Sequence, residues 1–140
     1  MKVIGYVRVS TDSQAQDGVS LEAQAAKIRA WADLNGADTV TIYEDAGISG
    51  KRADNRPGLQ DAMNAIGEGD ALVVYSLSRF ARSTRDTIEL AERLEKRGAD
   101  LVSLSEKIDT TTAAGKMVFR MLAVLSEFER DQVSERTRLA

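Results

Sequence analysis

The chain has 140 residues, with 19 lysines and arginines against 22 acids, a formal net charge of -3, and neither cysteine nor histidine. That length makes one ordinary domain, large enough to bury roughly two thirds of the surface its unfolded form exposes without help from a disulfide or a metal. Lacking histidine and cysteine, it cannot run zinc-hydrolase, cysteine-nucleophile or serine-histidine triad chemistry, so carboxylates, hydroxyls, arginines and lysines form the chemical inventory. No apolar run is long enough to cross a bilayer, and the amino terminus is patterned as a strand and not as a cleavable leader. The expectation is a soluble cytoplasmic protein with no membrane partner. The acidic balance is wrong for a freestanding nucleic-acid binder, although overall charge says little about a local basic site.

Taken in order, Lys2 to Thr11 reads as a buried first strand rich in β-branched residues (Val3, Ile4, Val7, Val9), ending where Asp12, Ser13 and Gln14 signal a loop. Ser20 is a plausible N-cap for a helix carrying Leu21, Ala25, Ile28, Ala32 and Leu34 at helical spacing, with Gly36 closing it. Thr39 to Glu44 is a second strand, and Asp45 to Asn55 a polar loop with Gly47 and Gly50 inside it. Pro57 suits the first turn of a short helix with Leu59, Met63 and Ile66, ended by Gly67 and Gly69. Ala71 to Tyr75 is a third strand whose apolar core suits a sheet centre covered on both faces. A helix from about Thr84 turns Ile88, Ala91 and Leu94 inward and stops at Gly98, and Leu101 to Leu104 is a fourth strand. This alternation predicts an α/β, doubly wound domain with a mostly parallel central sheet, helices on both faces and one long C-terminal helix.

That last helix, from about Gly115 to Arg136, would run roughly 33 Å, more than so small a domain needs. Its first half, Met117 to Leu125, is apolar nearly all round, which a single contact face does not explain, so a second subunit is the simplest cover. Its second half is strongly charged with a thin seam of Phe128 and Val133. The chain ends without a helix cap, which leads to the expectation of a fragment continued by a further region.

The carboxyl ends of parallel strands converge on one edge, where ligands of open α/β sheets bind. There Ser10 and Arg8 end the first strand, Asp45 and the stretch to Arg56 follow the second, and Ser78, Arg79 and Arg82 follow the third. Arginine stays protonated and clamps phosphate oxygens with paired N-H donors, so the expected substrate is a phosphate ester, with Ser10 as candidate nucleophile. The bland alternatives are polar turn contacts by Ser10 and Thr11, and a surface pair formed by Arg79 and Arg82 near a helix start.

These residues resemble the catalytic domain of the serine site-specific recombinases, the resolvase, invertase and integrase family, over the whole chain. Tyr6-Val-Arg-Val-Ser-Thr resembles the nucleophile motif, which implies that Ser10 joins to the 5′ phosphate of DNA with Arg8 beside it. Gly18-Val-Ser-Leu-Glu-Ala-Gln nominates Gln24, and Glu44-Asp-Ala-Gly-Ile-Ser-Gly with Asn55-Arg-Pro-Gly-Leu nominates Arg56. Leu77-Ser-Arg-Phe-Ala-Arg resembles Leu-Asp-Arg-Leu-Gly-Arg and nominates Arg79 and Arg82. Ser126-Glu-Phe-Glu-Arg with Ser134-Glu-Arg-Thr nominates Glu135 and Arg136, while Tyr6, Asp45 and Ser78 are supporting candidates. Ser78 departs from the pattern, because the usual aspartate is missing. That leaves the proton acceptor for Ser10 open among water, the substrate phosphate and a carboxylate such as Asp45.

The resemblance implies double-stranded DNA recombination sites as partners, a homodimer that becomes a tetramer in the synaptic complex, and 5′-phosphoserine links that conserve bond energy with no cofactor and no metal. It further implies that residues 1 to 140 are one catalytic domain and that the helix from about 115 leads to a DNA-binding region absent from this chain. Two other classes stay open: a catalytically impaired dimerisation or regulatory module of the same fold, and a phosphate-binding α/β enzyme.

Overall fold

The structure, a computed structural model, describes residues 1-9, 19-46 and 56-139. Ser10, Thr11 and the loop that follows them lie outside the described residues, as do residues 47-55.

Strand β1 (Lys2-Val9) is the sheet's organising strand. On one side it pairs in parallel with β2 (Thr39-Ala46) from Lys2↔Thr39 to Val9↔Ala46. On the other it pairs with β3 (Ala71-Val74), but only from Val3↔Ala71 to Tyr6↔Val74. Strand β4 (Asp100-Ser103) lies parallel to β3, and a two-residue β5 (Ile108-Asp109) returns antiparallel to β4. The order β2-β1-β3-β4-β5 is that of a doubly wound sheet whose chain reverses direction between β1 and β3, which opens a crevice at their carboxyl ends.

Helix α1 (Leu21-Leu34) covers one face. Its N-cap Ser20 accepts the Ala23 N-H at 3.1 Å, and Ile28 and Ala32 pack on Val3, Val7, Val73 and Val102. The other face carries α2 (Pro57-Ala65), the single-turn α3 (Leu77-Phe80) and α4 (Thr84-Lys96), whose Leu59, Met63, Phe80, Leu90 and Leu94 close over Ile4, Tyr6, Leu72 and Leu101. Helices therefore cover both faces, as the alternating pattern predicts. Alternation along β1 feeds both cores, because successive side chains point to opposite faces.

Four details differ from the sequence reading. Strand β2 runs on to Ala46, so Asp45 belongs to a strand and not to a loop. Leu34 is 86% exposed, because the inward stripe of α1 is Gln24, Ile28 and Ala32, and Leu34 lies two residues past it. In α4 the fully inward residues are Thr87, Leu90 and Leu94, with Ile88 and Ala91 on the flank facing the last helix. Helix α3 and strand β5 have no counterpart in the sequence reading.

The last helix, α5 (Ala113-Leu139), has 27 residues and is about 40 Å long. Its start is fixed tightly. Thr112 accepts the Gly115 N-H at 3.0 Å and donates its hydroxyl to the Asp109 carbonyl at 2.8 Å. Phe119 packs against the core, whereas Met117, Met121, Val124, Leu125 and Phe128 are each more than half exposed. No helix among the described residues is long and apolar enough to cross a membrane.

A side chain at Gly115 has nowhere to go, since its Cβ would sit 1.8 Å from the Asp109 carbonyl oxygen. Gly115→Ala must therefore push α5 off β5, and the expected loss is about 1-3 kcal/mol in denaturant unfolding, the range for overpacking. An unchanged midpoint would show that α5 is not anchored at this point.

Candidate active site

Arg8 sits where β1 loses β3 as a neighbour, and a glutamine takes over that edge. The Arg8 N-H donates to Gln24 Oε1 at 3.3 Å and the Gln24 amide donates back to the Arg8 carbonyl at 3.1 Å, as a neighbouring strand would. Gln24 Nε2 also reaches the Val19 carbonyl at 3.2 Å, so this fully buried amide is spent on backbone. The Arg8 guanidinium crosses to α3, where Nε donates to the Arg79 carbonyl at 3.3 Å and Nη2 to the Ser78 carbonyl. Burial lowers the Arg8 pKa, and the nearby charges of Arg56 and Arg79 push the same way, while Tyr6 and Asp45 oppose them.

Asp45, opposite Arg8 in the β1-β2 register, is 3% exposed and fully engaged. Its Oδ1 accepts the Gly58 N-H at 2.8 Å, and its Oδ2 accepts the Leu59 N-H at 3.1 Å and the Tyr6 hydroxyl at 2.6 Å. The carboxylate thus caps α2 from another element, a task that the helix's own N-cap residue, Arg56, does not perform. Gly58 permits the approach, since a Cβ there would lie 2.4 Å from the Glu44 carbonyl oxygen. Burial, reinforced by the Asp45 hydrogen bond and charge, raises the Tyr6 pKa far above its ordinary value and keeps it a neutral donor.

Arg56 is 8% exposed. Its Nη1 lies 3.1 Å from Asp86 Oδ2 and donates to the Phe80 carbonyl at 3.2 Å, which ties α2 to the elbow between α3 and α4. Asp86 also accepts the Arg82 N-H at 3.0 Å. Burial would raise the Asp86 pKa, but the Arg82 amide and the Arg56 guanidinium outweigh it and hold the group below the usual carboxylate range. Arg79 is buried at the end of α3, while Ser78 is exposed and pairs its hydroxyl with Ser76 Oγ at 3.0 Å. Helix α3 is itself capped by Glu106, whose two oxygens each lie 3.2 Å from the Leu77 N-H.

The structure therefore brings Tyr6, Arg8, Gln24, Asp45, Arg56, Ser78, Arg79 and Arg82 together around the crevice. Ser10 lies outside the described residues, as do the side chains of Glu135 and Arg136. A cavity of about 660 Å³ opens there, lined by Arg8, Ser78, Arg82, Ser83, Thr84 and, from α5, Leu122. No cluster of potential metal ligands occurs among the described residues. Sequence reasoning missed Asp86 and Glu106. Ser83-x-x-Asp86 is a legible helix-start signature, whereas Glu106 carries no local signal, because its partner is 29 residues away.

The raised Tyr6 pKa makes a pH prediction with a defined sign. Below about pH 10 the phenol is protonated in folded and unfolded chains alike, and above it only the unfolded chain releases the proton, so stability falls as pH rises. The alkaline loss should be shallower in Tyr6→Phe than in the wild type, by a slope approaching about 1.4 kcal/mol per pH unit. Parallel curves from urea melts between pH 9 and 11 would refute the buried phenol-carboxylate pair.

Comparison with known proteins places this geometry in a family. Residues 3-140 match the family described as "Resolvase, N terminal domain". A DNA-invertase, hin, of Salmonella typhimurium strain LT2 is 41% identical over 137 residues, covering 98% of this chain and 65% of that protein. The Tn917 transposon resolvase of Enterococcus faecalis is 36% identical over 135 residues, covering 96% of this chain and 66% of the relative. The chain thus spans just under two thirds of the length of these curated relatives. Among solved structures, the N-terminal catalytic domain of TP901-1 integrase superposes with a TM-score of 0.81 at 36% identity, over 94% of this chain and 98% of that one. With the match running over nearly its whole length, this chain belongs to the resolvase N-terminal domain family of serine recombinases.

Proposed function

We propose that this chain is the catalytic domain of a site-specific DNA recombinase, in which Ser10 attacks a DNA phosphodiester inside the arginine-lined crevice. The observation that carries the reading is the convergence of Arg8, Arg56, Arg79 and Arg82 on the carboxyl end of β1, directly before Ser10, in a chain of this family. The Ser10 hydroxyl oxygen bonds to phosphorus, the P-O3′ bond breaks, and the leaving oxygen takes up a proton to become a free 3′ hydroxyl. Rejoining reverses these steps: a 3′ hydroxyl attacks the phosphoserine and Ser10 regains its proton. One phosphodiester is exchanged for another at each stage, so the chemistry calls for no external energy source and no cofactor.

The guanidinium groups stabilise the charge that builds on the phosphoryl oxygens, the largest contribution protein groups make in such transfers. They are not bases. Asp45 is a poor acceptor for the Ser10 proton, because both its oxygens are already occupied by amides and a phenol. Water or a phosphate oxygen is the better choice. Gln24 serves by holding the Arg8 backbone, and Glu135 and Arg136 are proposed to join the site from α5. The exposed apolar side of α5 is the proposed homodimer surface, two dimers forming a tetramer on paired double-stranded DNA sites. The helix is also proposed to lead into a DNA-binding region beyond this catalytic domain, with the protein working in the cytoplasm.

Ser10→Ala in the full-length protein is expected to abolish the denaturant-resistant, protease-sensitive protein-DNA band while leaving site binding intact. Persistent strand cleavage would sink the assignment. Arg8→Ala, Arg79→Ala and Arg82→Ala should each slow cleavage about a hundredfold or more, the scale of one lost transition-state donor. Near-normal rates in all three would reduce the cluster to surface charge. Light scattering across concentration is expected to show this chain self-associating without DNA, and a strict monomer at high concentration would remove the dimer-helix reading.

A further inference from the structure

We propose that Asp86 is a positioning residue of the crevice, which holds Arg56 and Arg82 in place and supplies the negative charge that Ser78 does not. The proposal rests on the recombinase reading. An acid at the third position of a helix ordinarily reaches back to the amide of the N-cap residue. Asp86 does something else. Its own N-H is fixed by the N-cap Ser83 hydroxyl at 3.1 Å, but its carboxylate passes the Ser83 amide and accepts the Arg82 N-H at 3.0 Å.

From there the two oxygens face two guanidinium groups. Arg56 approaches with Nη1 at 3.1 Å from Oδ2 and Nη2 at 3.5 Å from Oδ1, a two-pronged geometry that fixes orientation as well as distance. Arg82 Nε stands 3.9 Å from Oδ2. The Asp86 side chain is 15% exposed and that of Arg56 8%, so their attraction is weakly screened by solvent. The Phe80 carbonyl accepts from the same Arg56 Nη1, which ties the elbow between α3 and α4 to the start of α2.

Ser78 stands at the place where the family pattern has an aspartate. Its hydroxyl is turned to Ser76 Oγ at 3.0 Å and it carries no charge into the crevice it lines with Arg8 and Arg82. A cluster of guanidinium groups still needs a fixed counter-charge to hold its shape before a phosphate arrives. Asp86 brings one from the first turn of α4. It touches arginines and not the reacting atoms, so its effect should appear in the rate and not in DNA affinity.

The test uses the full-length protein on site DNA, with covalent-band formation read at saturating DNA and affinity read separately. Asp86→Asn is expected to slow cleavage about tenfold or more while DNA affinity stays within about twofold. Adding Ser78→Asp to that variant relocates a carboxylate to the other wall of the crevice and should recover at least about fivefold of the loss, which a merely structural role would not give. A cleavage rate for Asp86→Asn within about twofold of wild type, or no recovery in the double variant, overturns the proposal. Should Asp86→Asn fail to fold by circular dichroism, Asp86→Glu keeps the charge and displaces it. That variant is expected to fold and to cleave at least about threefold more slowly, and a wild-type rate in it is equally fatal. The wild-type control separates the two claims: no covalent band in wild type defeats the recombinase reading itself, while a wild-type band that Asp86→Asn reproduces defeats only the role of Asp86.

Discussion

Gathering several guanidinium groups of like charge at one end of a β-sheet is unfavourable, and the surroundings of the crevice are arranged to hold them there. Burial and mutual repulsion both bear on Arg8, whose pKa is lowered by desolvation first and by Arg56 and Arg79 after it. Neutral acceptors bear much of the load. The carbonyls of Ser78, Arg79 and Phe80, at the single turn α3, take N-H bonds from Arg8 and Arg56. Two carboxylates complete the balance, Asp45 from β2 and Asp86 from α4. Neither is spent on a single task, since one caps α2 and the other secures the Arg82 amide.

On the proposed reading, such an arrangement suits a transient dianionic phosphoryl group better than it suits an empty site. Carbonyl dipoles satisfy the N-H donors without neutralising the charge, so on that reading the guanidinium charge remains available to a phosphate. Groups already fixed in orientation need no reorganisation when charge develops, which is where electrostatic stabilisation acquires its strength. The rigidity has traceable sources: Gln24 replaces a missing strand beside Arg8, Glu106 caps α3 from a turn whose Lys107 adopts a left-handed φ of 59°, and Asp45 caps α2. Each acts on backbone, and each fixes a segment that carries an arginine.

The fold was legible because its signals are local. Val3, Val7 and Val9 mark β1, Ala71 to Val74 marks a strand covered on both faces, and Ser20 and Pro57 mark helix starts within one turn of themselves. The arginines were legible too, since strand ends in a parallel sheet share an edge. What escaped was the assignment of partners. Asp45 reads as a spare carboxylate in sequence but is saturated by donors 13, 14 and 39 residues away. Gln24, nominated by resemblance, finds its partners on the backbone of Arg8 and Val19, and Leu34 reads as core but lies off the buried stripe. The two-residue β5 has too few side chains to show a period, and its place is set by packing against β4 and α5.

Helix α5 joins the crevice to the outside of the domain through side chains only a few positions apart. Phe119 enters the core and Leu122 lines the cavity beside Arg8 and Arg82, while Met117, Met121, Val124 and Leu125 face solvent from other sides of the same turns. A helix with side chains is about 10-12 Å across, so a body covering the apolar side would stand that close to the crevice wall. The helix cannot easily rotate to separate the two, because Gly115 is seated against the Asp109 carbonyl with no room for even a methyl group. On the proposed reading, a change in what covers the exposed side is felt at Leu122 without any relay through the sheet. Assembly and cleavage then share one structural element, and a subunit whose α5 is uncovered presents an arginine crevice with one wall unsupported from outside.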